Sequence, residues 1–267
     1  MITVDREVID IGNFPDGSIL IKYYPTRSQQ IDGVNINWKY ENDREFLTLI
    51  YLVKHLCAHG VNNVYLYMPY IPNARMDRVK NPEDVFTLKY FAELLNSLEL
   101  TEVTVLDPHS SVSEALINNL DIVTPEQYLL KVLVKLSSCG IKDVVVFYPD
   151  EGAMKRYSGL IKLPYAFGIK KRNWETGVIE GLDVAGAVDQ IVGRDILIID
   201  DICSRGGTFY HSAKKLKELG ARDIYLYVSH CENTILEGDL LKGDLIKKVF
   251  TTDSIFTKEH EKIEVLT

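Results

Sequence analysis

The sequence predicts an α/β protein of two tandem domains, each a mainly parallel sheet flanked by helices. Apolar runs of strand length alternate with helical apolar patterns along the 267 residues, and such alternation is typical of parallel strands joined by helical crossovers. The pattern restarts at Thr124-Pro125, which predicts a domain of residues 1–124 followed by a domain of residues 125–267. The apolar run Ile196 to Ile199 suits a strand that is buried on both faces.

The first domain begins with alternating residues on both sides of the turn Phe14-Pro-Asp-Gly17. Proline in the second position of such a turn favours a hairpin, here over Ile2 to Tyr24. A helix is predicted from Asn42 or Asp43 to Gly60, because its apolar residues recur at helical spacing. The elements that follow are a strand Val64 to Tyr67, a helix Asp84 to Leu98 and a strand Val103 to Leu106.

The second domain repeats the alternation. The predicted elements are a helix before Gly140, strands Asp143 to Phe147, Tyr165 to Ile169 and Ile196 to Ile199, a helix Gly207 to Leu219 and a strand Ile224 to Val228. In an open α/β sheet, ligands bind at the carboxyl ends of the strands. Polar residues that directly follow these strands are therefore the candidates for a functional site.

Composition argues against several classes of protein. The net charge is −8, which disfavours nucleic acid or an anionic membrane surface as the main partner. The four cysteines show no C-x-x-C spacing, and no apolar run approaches the length of a membrane span. We expect a cytoplasmic protein with reduced cysteines and no membrane partner.

The strongest motif follows the strand Ile196 to Ile199. Asp200 and Asp201 end the run, and Ser204-Arg205-Gly206-Gly207-Thr208 lead into the next helix. A glycine-bearing loop at a helix start presents backbone N–H groups to a phosphate. The acids would contact sugar hydroxyls or a metal. An acidic turn with a helix cap explains a lone Asp-Asp pair equally well, but here the acids, glycines and threonine occur together.

This stretch resembles the ribose-phosphate loop of the phosphoribosyltransferase superfamily, and within it the chain is most similar to the ribose-phosphate diphosphokinases. The family's Pro-Asp-x-Gly-x-x-Lys-Arg element matches Pro149 to Arg156, and its Asp-x-His element matches Asp107 to His109. The resemblance extends from Phe14 to Ile255. It implies two phosphoribosyltransferase-like domains, with ATP on the N-terminal side and the ribose phosphate on the C-terminal side.

The resemblance also implies an ATP site, for which it gives these residues: Phe14, Asp16, Arg75, Asp77 and His109. Phe14 and Asp16 would contact the adenine bound by a neighbouring subunit, so a homo-oligomer, at least a dimer, is expected. Arg75 and His109 would contact the ATP phosphates. His109 and Asp150 are the implied ligands of Mg²⁺, the expected cofactor.

The implied reaction transfers the β,γ-diphosphoryl group of ATP to the anomeric hydroxyl of ribose 5-phosphate and releases AMP. Lys170 and Arg172 match the family's Lys-x-Arg element, and with His109 they are the catalytic candidates. The developing charge in such a transfer demands positioned cations. By charge pattern alone, the run Lys170-Lys-Arg172 would be a solvated sheet edge.

The acceptor stays open between two sugars. Where the family usually has Asp-Thr-Ala-Gly-Thr, this chain has Ser204 to Thr208 with Arg205 inside. A gained guanidinium suits an acceptor with more than one phosphate, such as ADP-ribose, whereas the family implies ribose 5-phosphate. A phosphoribosyltransferase and a non-catalytic regulator related to the synthetases are the two alternatives from other classes.

Overall fold

The computed structural model describes the backbone of residues 1–172 and 179–267, and the side chains of residues 1–169 and 183–267. The chain divides into two compact units, Met1–Thr124 and Pro125–Thr267. Helices within the described residues are too short or too polar to cross a bilayer.

The N-terminal unit contains a six-stranded sheet and a separate hairpin. Its elements in chain order are β1 (Ile2–Val4), β2 (Glu7–Val8), β3 (Asp10–Asn13), β4 (Ile19–Lys22), α1 (Arg27–Asp32), β5 (Val34–Trp38), α2 (Asp43–Ala58), β6 (Val64–Tyr67), α3 (Thr87–Asn96), β7 (Glu102–Leu106), α4 (Ser111–Leu116) and β8 (Leu120–Val123). The sheet order is β2-β1-β5-β6-β7-β8, and β5 to β8 are parallel. The hairpin is β3 with β4.

One face of this sheet carries the core of the unit. Val34, Ile36 and Trp38 alternate with polar residues along β5, so their side chains all point to the same face. This face packs with the apolar side of α2 in one buried cluster. The other face is lined by polar and tyrosine side chains of β1, β5, β6 and β7 and borders an open groove of about 720 Å³.

The C-terminal unit is built on a seven-stranded sheet. Its elements are α5 (Glu126–Ser138), β9 (Val144–Tyr148), α6 (Glu151–Tyr157), β10 (Tyr165–Arg172), β11 (Ile179–Gly186), β12 (Asp195–Cys203), α7 (Gly207–Glu218), β13 (Ile224–Cys231), β14 (Lys248–Thr252) and β15 (Ile263–Leu266), with short 3₁₀ helices at Val188–Gln190 and Asn233–Glu237. The order is β11-β10-β9-β12-β13-β14-β15, and only β11 runs antiparallel to its neighbour.

The strand order of this unit reverses between β9 and β12. From β9 the chain adds β10 on one side of the sheet, then returns to add β12 on the other side. The loops after β9 and β12 therefore diverge to opposite faces and leave a crevice at the carboxyl ends of the two strands. This topological switch point is where α/β sheets bind ligands.

The predicted α/β class and its mainly parallel sheets are confirmed. The N-terminal hairpin prediction was wrong for its first residues: Ile2–Val4 joins the main sheet antiparallel to β5, because the chain turns at Asp5 and Arg6, which have φ of 48° and 74°. The helix predicted from Asp84 to Leu98 begins only at Thr87. Residues before it form a turn in which Asp84 accepts the backbone N–H of Asn81 at 2.9 Å.

Candidate active site

Two acidic side chains lie near the end of β12 at the switch point. Asp200 is half-buried and Asp201 is buried, and the Asp200 carboxylate accepts a hydrogen bond of 3.0 Å from the backbone N–H of Asp201. Burial and the adjacent Asp201 carboxylate raise the pKa of Asp200 well above its ordinary value, with a smaller effect from Asp150. A ligand that donates hydroxyl protons or brings a cation to this pair would relieve the repulsion.

A guanidinium from the crossover after β9 lies beside this pair. Asp150 is the N-cap of α6, where its carboxylate accepts the backbone N–H of Ala153 at 3.1 Å. The helix carries Arg156, whose Nη2 lies 3.4 Å from Oδ1 of Asp201. Arg156 was not among the predicted site residues. In the sequence it is a cation on the helix that follows Asp150. Its contact with Asp201 depends on the folded sheet and is not encoded locally.

The loop Ser204–Thr208 leads from β12 into α7. Gly206 is the N-cap with φ of 79°, and a Cβ at this position would lie 2.8 Å from the Leu240 side chain. The exposed residues of the loop are Arg205, Gly207 and Thr208. The first backbone N–H groups of a helix have no partner within it. The loop thus offers donors at the positive end of a 12-residue helix, an arrangement that binds anions.

A second segment, Glu232–Leu240, covers one side of this loop, and we call it the clasp. The Thr234 hydroxyl lies 3.3 Å from the Ser204 hydroxyl. At Gly238 the two backbones approach so closely that a Cβ would lie 1.9 Å from the carbonyl oxygen of Arg205. Only glycine fits such an approach. The clasp carried no recognisable motif, so sequence reasoning missed it.

Arg205 forms an ion pair with the clasp. Its Nη2 lies 3.0 Å from Oε2 of Glu237, and the two side chains are 72% and 59% exposed. The positive charge of Arg205 in the loop is therefore balanced by a carboxylate from another segment of the chain. Surface pairs of this kind contribute little to stability, but they set the local charge.

In the N-terminal unit, β7 ends in a turn that positions His109. Asp107 has φ of 43°, and its backbone N–H donates to the carbonyl of Val123 at 3.0 Å. A non-glycine residue in this left-handed region is uncommon. The turn leaves half-buried His109 at the carboxyl edge of the sheet, just before α4.

The loop after the neighbouring strand β6 reaches the same edge. Ile71 and Ala74 are buried and anchor it, whereas Arg75 is exposed. Asp77 is buried and accepts a hydrogen bond of 3.1 Å from Nε of Arg78. Because β6 and β7 are parallel neighbours, the loops that follow them, which carry Arg75 and His109, leave the same edge of the sheet.

Phe14 and Asp16 form the exposed tip of the hairpin β3–β4. Phe14 is 50% exposed, and its carbonyl accepts the backbone N–H of Gly17 at 2.9 Å. Asp16 accepts hydrogen bonds from the hydroxyl and the backbone N–H of Ser18, at 2.7 and 2.9 Å, and these lower the pKa of its carboxyl. Ser18 thus supports the turn itself.

The remaining candidates are Lys170 and Arg172. Their backbones belong to β10, and their side chains lie outside the described residues. Within the described residues, no group of three or more His, Cys, Asp or Glu side chains is arranged to hold a metal ion. A Mg²⁺ ion that takes most of its ligands from water and phosphate needs only one or two carboxylates from the protein. Asp150, one of the implied Mg²⁺ ligands, provides such a carboxylate, and it is close enough to Asp200 to raise the pKa of that carboxyl.

Comparison with curated proteins finds relatives over nearly the whole chain. A ribose-phosphate pyrophosphokinase of Bacillus caldolyticus is 30% identical over 269 residues, which cover 95% of this chain and 80% of the relative. The enzyme of that name from Corynebacterium ammoniagenes is 30% identical, with 95% and 79% covered. No family model matches the chain.

Among solved structures, a phosphoribosylpyrophosphate synthetase from Mycobacterium smegmatis has a similar fold. Its TM-score is 0.78 at 18% identity, and the match covers 97% of this chain and 85% of that one. At 18% identity this likeness shows the fold alone, and it does so over 97% of the chain.

Proposed function

Because the chain belongs to the ribose-phosphate pyrophosphokinase family, we propose that it transfers the β,γ-diphosphoryl group of ATP to the anomeric hydroxyl of ribose 5-phosphate and releases AMP. As a member of this family, the chain is a diphosphotransferase. The observation that carries the proposal is the switch-point site, where the pair Asp200 and Asp201 adjoins the phosphate loop Ser204–Thr208 on one strand-loop-helix unit.

In this proposal the acceptor binds at the C-terminal unit. The 5-phosphate accepts hydrogen bonds from backbone N–H groups of the loop Ser204–Thr208 at the start of α7. The ribose hydroxyls donate to Asp200 and Asp201. Those hydrogen bonds stabilise carboxylates that repel each other in the free chain, so part of the acceptor's binding energy comes from relief of that repulsion. Arg156 holds Asp201 in place from α6.

ATP binds on the N-terminal side, residues 1–124. Arg75 and His109 contact its phosphates, and Asp77 orients the loop that presents Arg75. Phe14 is suited to stack on an adenine of a neighbouring subunit, because half of the residue's surface is exposed at a hairpin tip. Asp16 would accept the exocyclic amine of that base. The active enzyme is accordingly a homo-oligomer, at least a dimer.

In the transfer step, the anomeric oxygen forms a bond to the β-phosphorus. The bond between that phosphorus and the α,β-bridging oxygen breaks, AMP leaves with the electron pair, and the proton of the anomeric hydroxyl passes to solvent water. Lys170 and Arg172 stabilise the negative charge that develops on the transferring group. His109 and Asp150 are the residues that would hold Mg²⁺, which would neutralise charge on the phosphates.

The alternative acceptor is ADP-ribose, which would yield ADP-ribose 1-diphosphate. Arg205 is exposed at the loop, as an extended 5′-substituent requires, but Glu237 already pairs with its guanidinium. This pairing makes ribose 5-phosphate the first choice. A nucleobase phosphoribosyltransferase would not need the hairpin tip or the loop bearing Arg75, and a non-catalytic regulator would not need Asp200 and Asp201.

The test is AMP release from ATP and Mg²⁺ with ribose 5-phosphate or ADP-ribose as acceptor, followed by mass analysis of the product. We expect AMP together with a ribose 5-phosphate derivative that has gained a diphosphoryl group. ADP instead of AMP would show a simple kinase. No release with either acceptor would contradict the proposal and favour the regulator.

A further inference from the structure

The ion pair at the rim of the phosphate loop has no place in the reaction itself. We propose that Glu237 is a specificity-determining residue, which neutralises Arg205 and so disfavours acceptors with phosphate charge beyond the 5-phosphate of ribose. The inference rests on the proposed function, because it concerns the acceptor side of that site. In this proposal the exposed pair affects which acceptor binds and contributes little to stability.

The position of the pair follows from the exposure of the loop. Arg205, Gly207 and Thr208 are exposed, whereas Gly206 is buried against Leu240. A group attached to a phosphate in the loop must therefore leave on the exposed side. Any second phosphate on that group approaches the rim where Arg205 stands.

The clasp holds Glu237 opposite Arg205 by backbone contacts. The N–H of Glu232 donates to the carbonyl of Cys203 at 2.8 Å, and the N–H of Gly238 donates to the carbonyl of Ile235 at 3.2 Å. The Glu232 hydrogen bond anchors the clasp before Glu237, and the close approach of Gly238 to the Arg205 carbonyl anchors it directly after Glu237. The carboxylate is thus placed by the fold at 3.0 Å from the guanidinium.

The charge balance gives the direction of the effect. The pair Arg205 and Glu237 sums to zero, and replacement of the carboxylate by an amide of the same shape leaves one positive charge at the rim. Since exposed charges are partly screened, the preference for a second phosphate should rise by about threefold to tenfold. Lower ionic strength should enlarge the change.

The experiment compares kcat/KM for ADP-ribose and ribose 5-phosphate in the parent enzyme, in Glu237→Gln, and in Asp239→Asn. Asp239 is a matched control, because it is another exposed acid of the clasp and it pairs with Lys242, at 2.8 Å, instead of Arg205. We expect the ratio to rise about threefold to tenfold in Glu237→Gln and to stay unchanged in the control. Binding of each acceptor by calorimetry gives a second readout that needs no turnover.

A double-mutant cycle isolates the pair. In an Arg205→Ala background, Glu237→Gln should no longer raise the ratio, because the charge that it releases is gone. An equal gain for both acceptors, the same gain in Asp239→Asn, or persistence of the gain without Arg205 would overturn the inference. Absence of AMP release with every acceptor would instead overturn the proposed function, and the calorimetric ratio would still decide the role of Glu237.

Discussion

Replacement of Asp200 by asparagine should stabilise the free protein while it weakens the enzyme. Asp200 lies beside Asp201 in a half-buried site, and burial together with that neighbour raises the pKa of its carboxyl. An asparagine keeps the oxygen that accepts the N–H of Asp201 at 3.0 Å and removes one of the two charges. The ligand-free fold therefore loses a repulsion without losing a hydrogen bond.

Coulomb's law gives the order of magnitude of the repulsion for an assumed separation of about 5 Å. Two unit charges about 5 Å apart at an effective dielectric constant of about 20 repel by roughly 3 kcal/mol. Arg156, 3.4 Å from Asp201, offsets part of this, so we expect a net gain of about 1–2 kcal/mol. For a chain of this size that corresponds to an increase in Tm of roughly 2–8 °C. The lost hydrogen bond to the acceptor should lower kcat/KM by about 10- to 100-fold.

Scanning calorimetry without ligands measures the gain, and its pH dependence tests the cause. The folded pKa of Asp200 is raised above the unfolded value of about 3.9, so the parent protein recovers the lost stability as pH falls through the folded pKa. The difference between Asp200→Asn and the parent should be largest above the folded pKa of Asp200 and vanish toward pH of about 4, near the unfolded pKa. Asp201→Asn is the matched control, because it also deprives Arg156 of a partner and should give no gain. A lower Tm for Asp200→Asn, or a gain independent of pH, would refute the reasoning.

Three further outcomes are expected. Lys170→Ala with Arg172→Ala should lower kcat by orders of magnitude while calorimetry finds ATP binding little changed; unchanged turnover would remove both from the catalytic step. Gly238→Ala should lower the free energy of unfolding by about 2 kcal/mol or more, measured with denaturant, because its Cβ would lie 1.9 Å from a carbonyl oxygen. An unchanged free energy of unfolding would show that the clasp can shift. Arg222→Ala leaves buried Asp195 without the guanidinium that lowers its pKa, so stability at pH 7 should fall. Since that contribution exists only above the unfolded pKa of about 3.9, the loss should shrink as pH falls below 4, and a pH-independent loss in urea unfolding would contradict the assignment.

Local patterns were enough to predict the strands that hold the site. The run Ile196 to Ile199 is apolar on both faces, and it became a central strand, although the strand continues through the acids to Cys203. Helix α2 was predictable within two residues from its apolar spacing. Both are properties of neighbours in the chain, which a sequence displays directly.

Contacts between distant segments were not predictable. Arg156 meets Asp201 across 45 positions of sequence, and the clasp meets the phosphate loop about 30 residues later. These pairings depend on strand order and on close backbone approach, which no local pattern encodes. The same reason explains the misplacement of Ile2–Val4, whose partner β5 was invisible before the sheet was assembled.

The polar outer face of the N-terminal sheet has a practical use. Glu102 is exposed on this face at the start of β7, away from the core and from the carboxyl edge that bears His109. A cysteine introduced at position 102 would carry a fluorescent or spin label that senses this unit without obstructing either substrate. The native thiols Cys57 and Cys139 are exposed and would have to be replaced first, whereas Cys203 and Cys231 are buried and can remain.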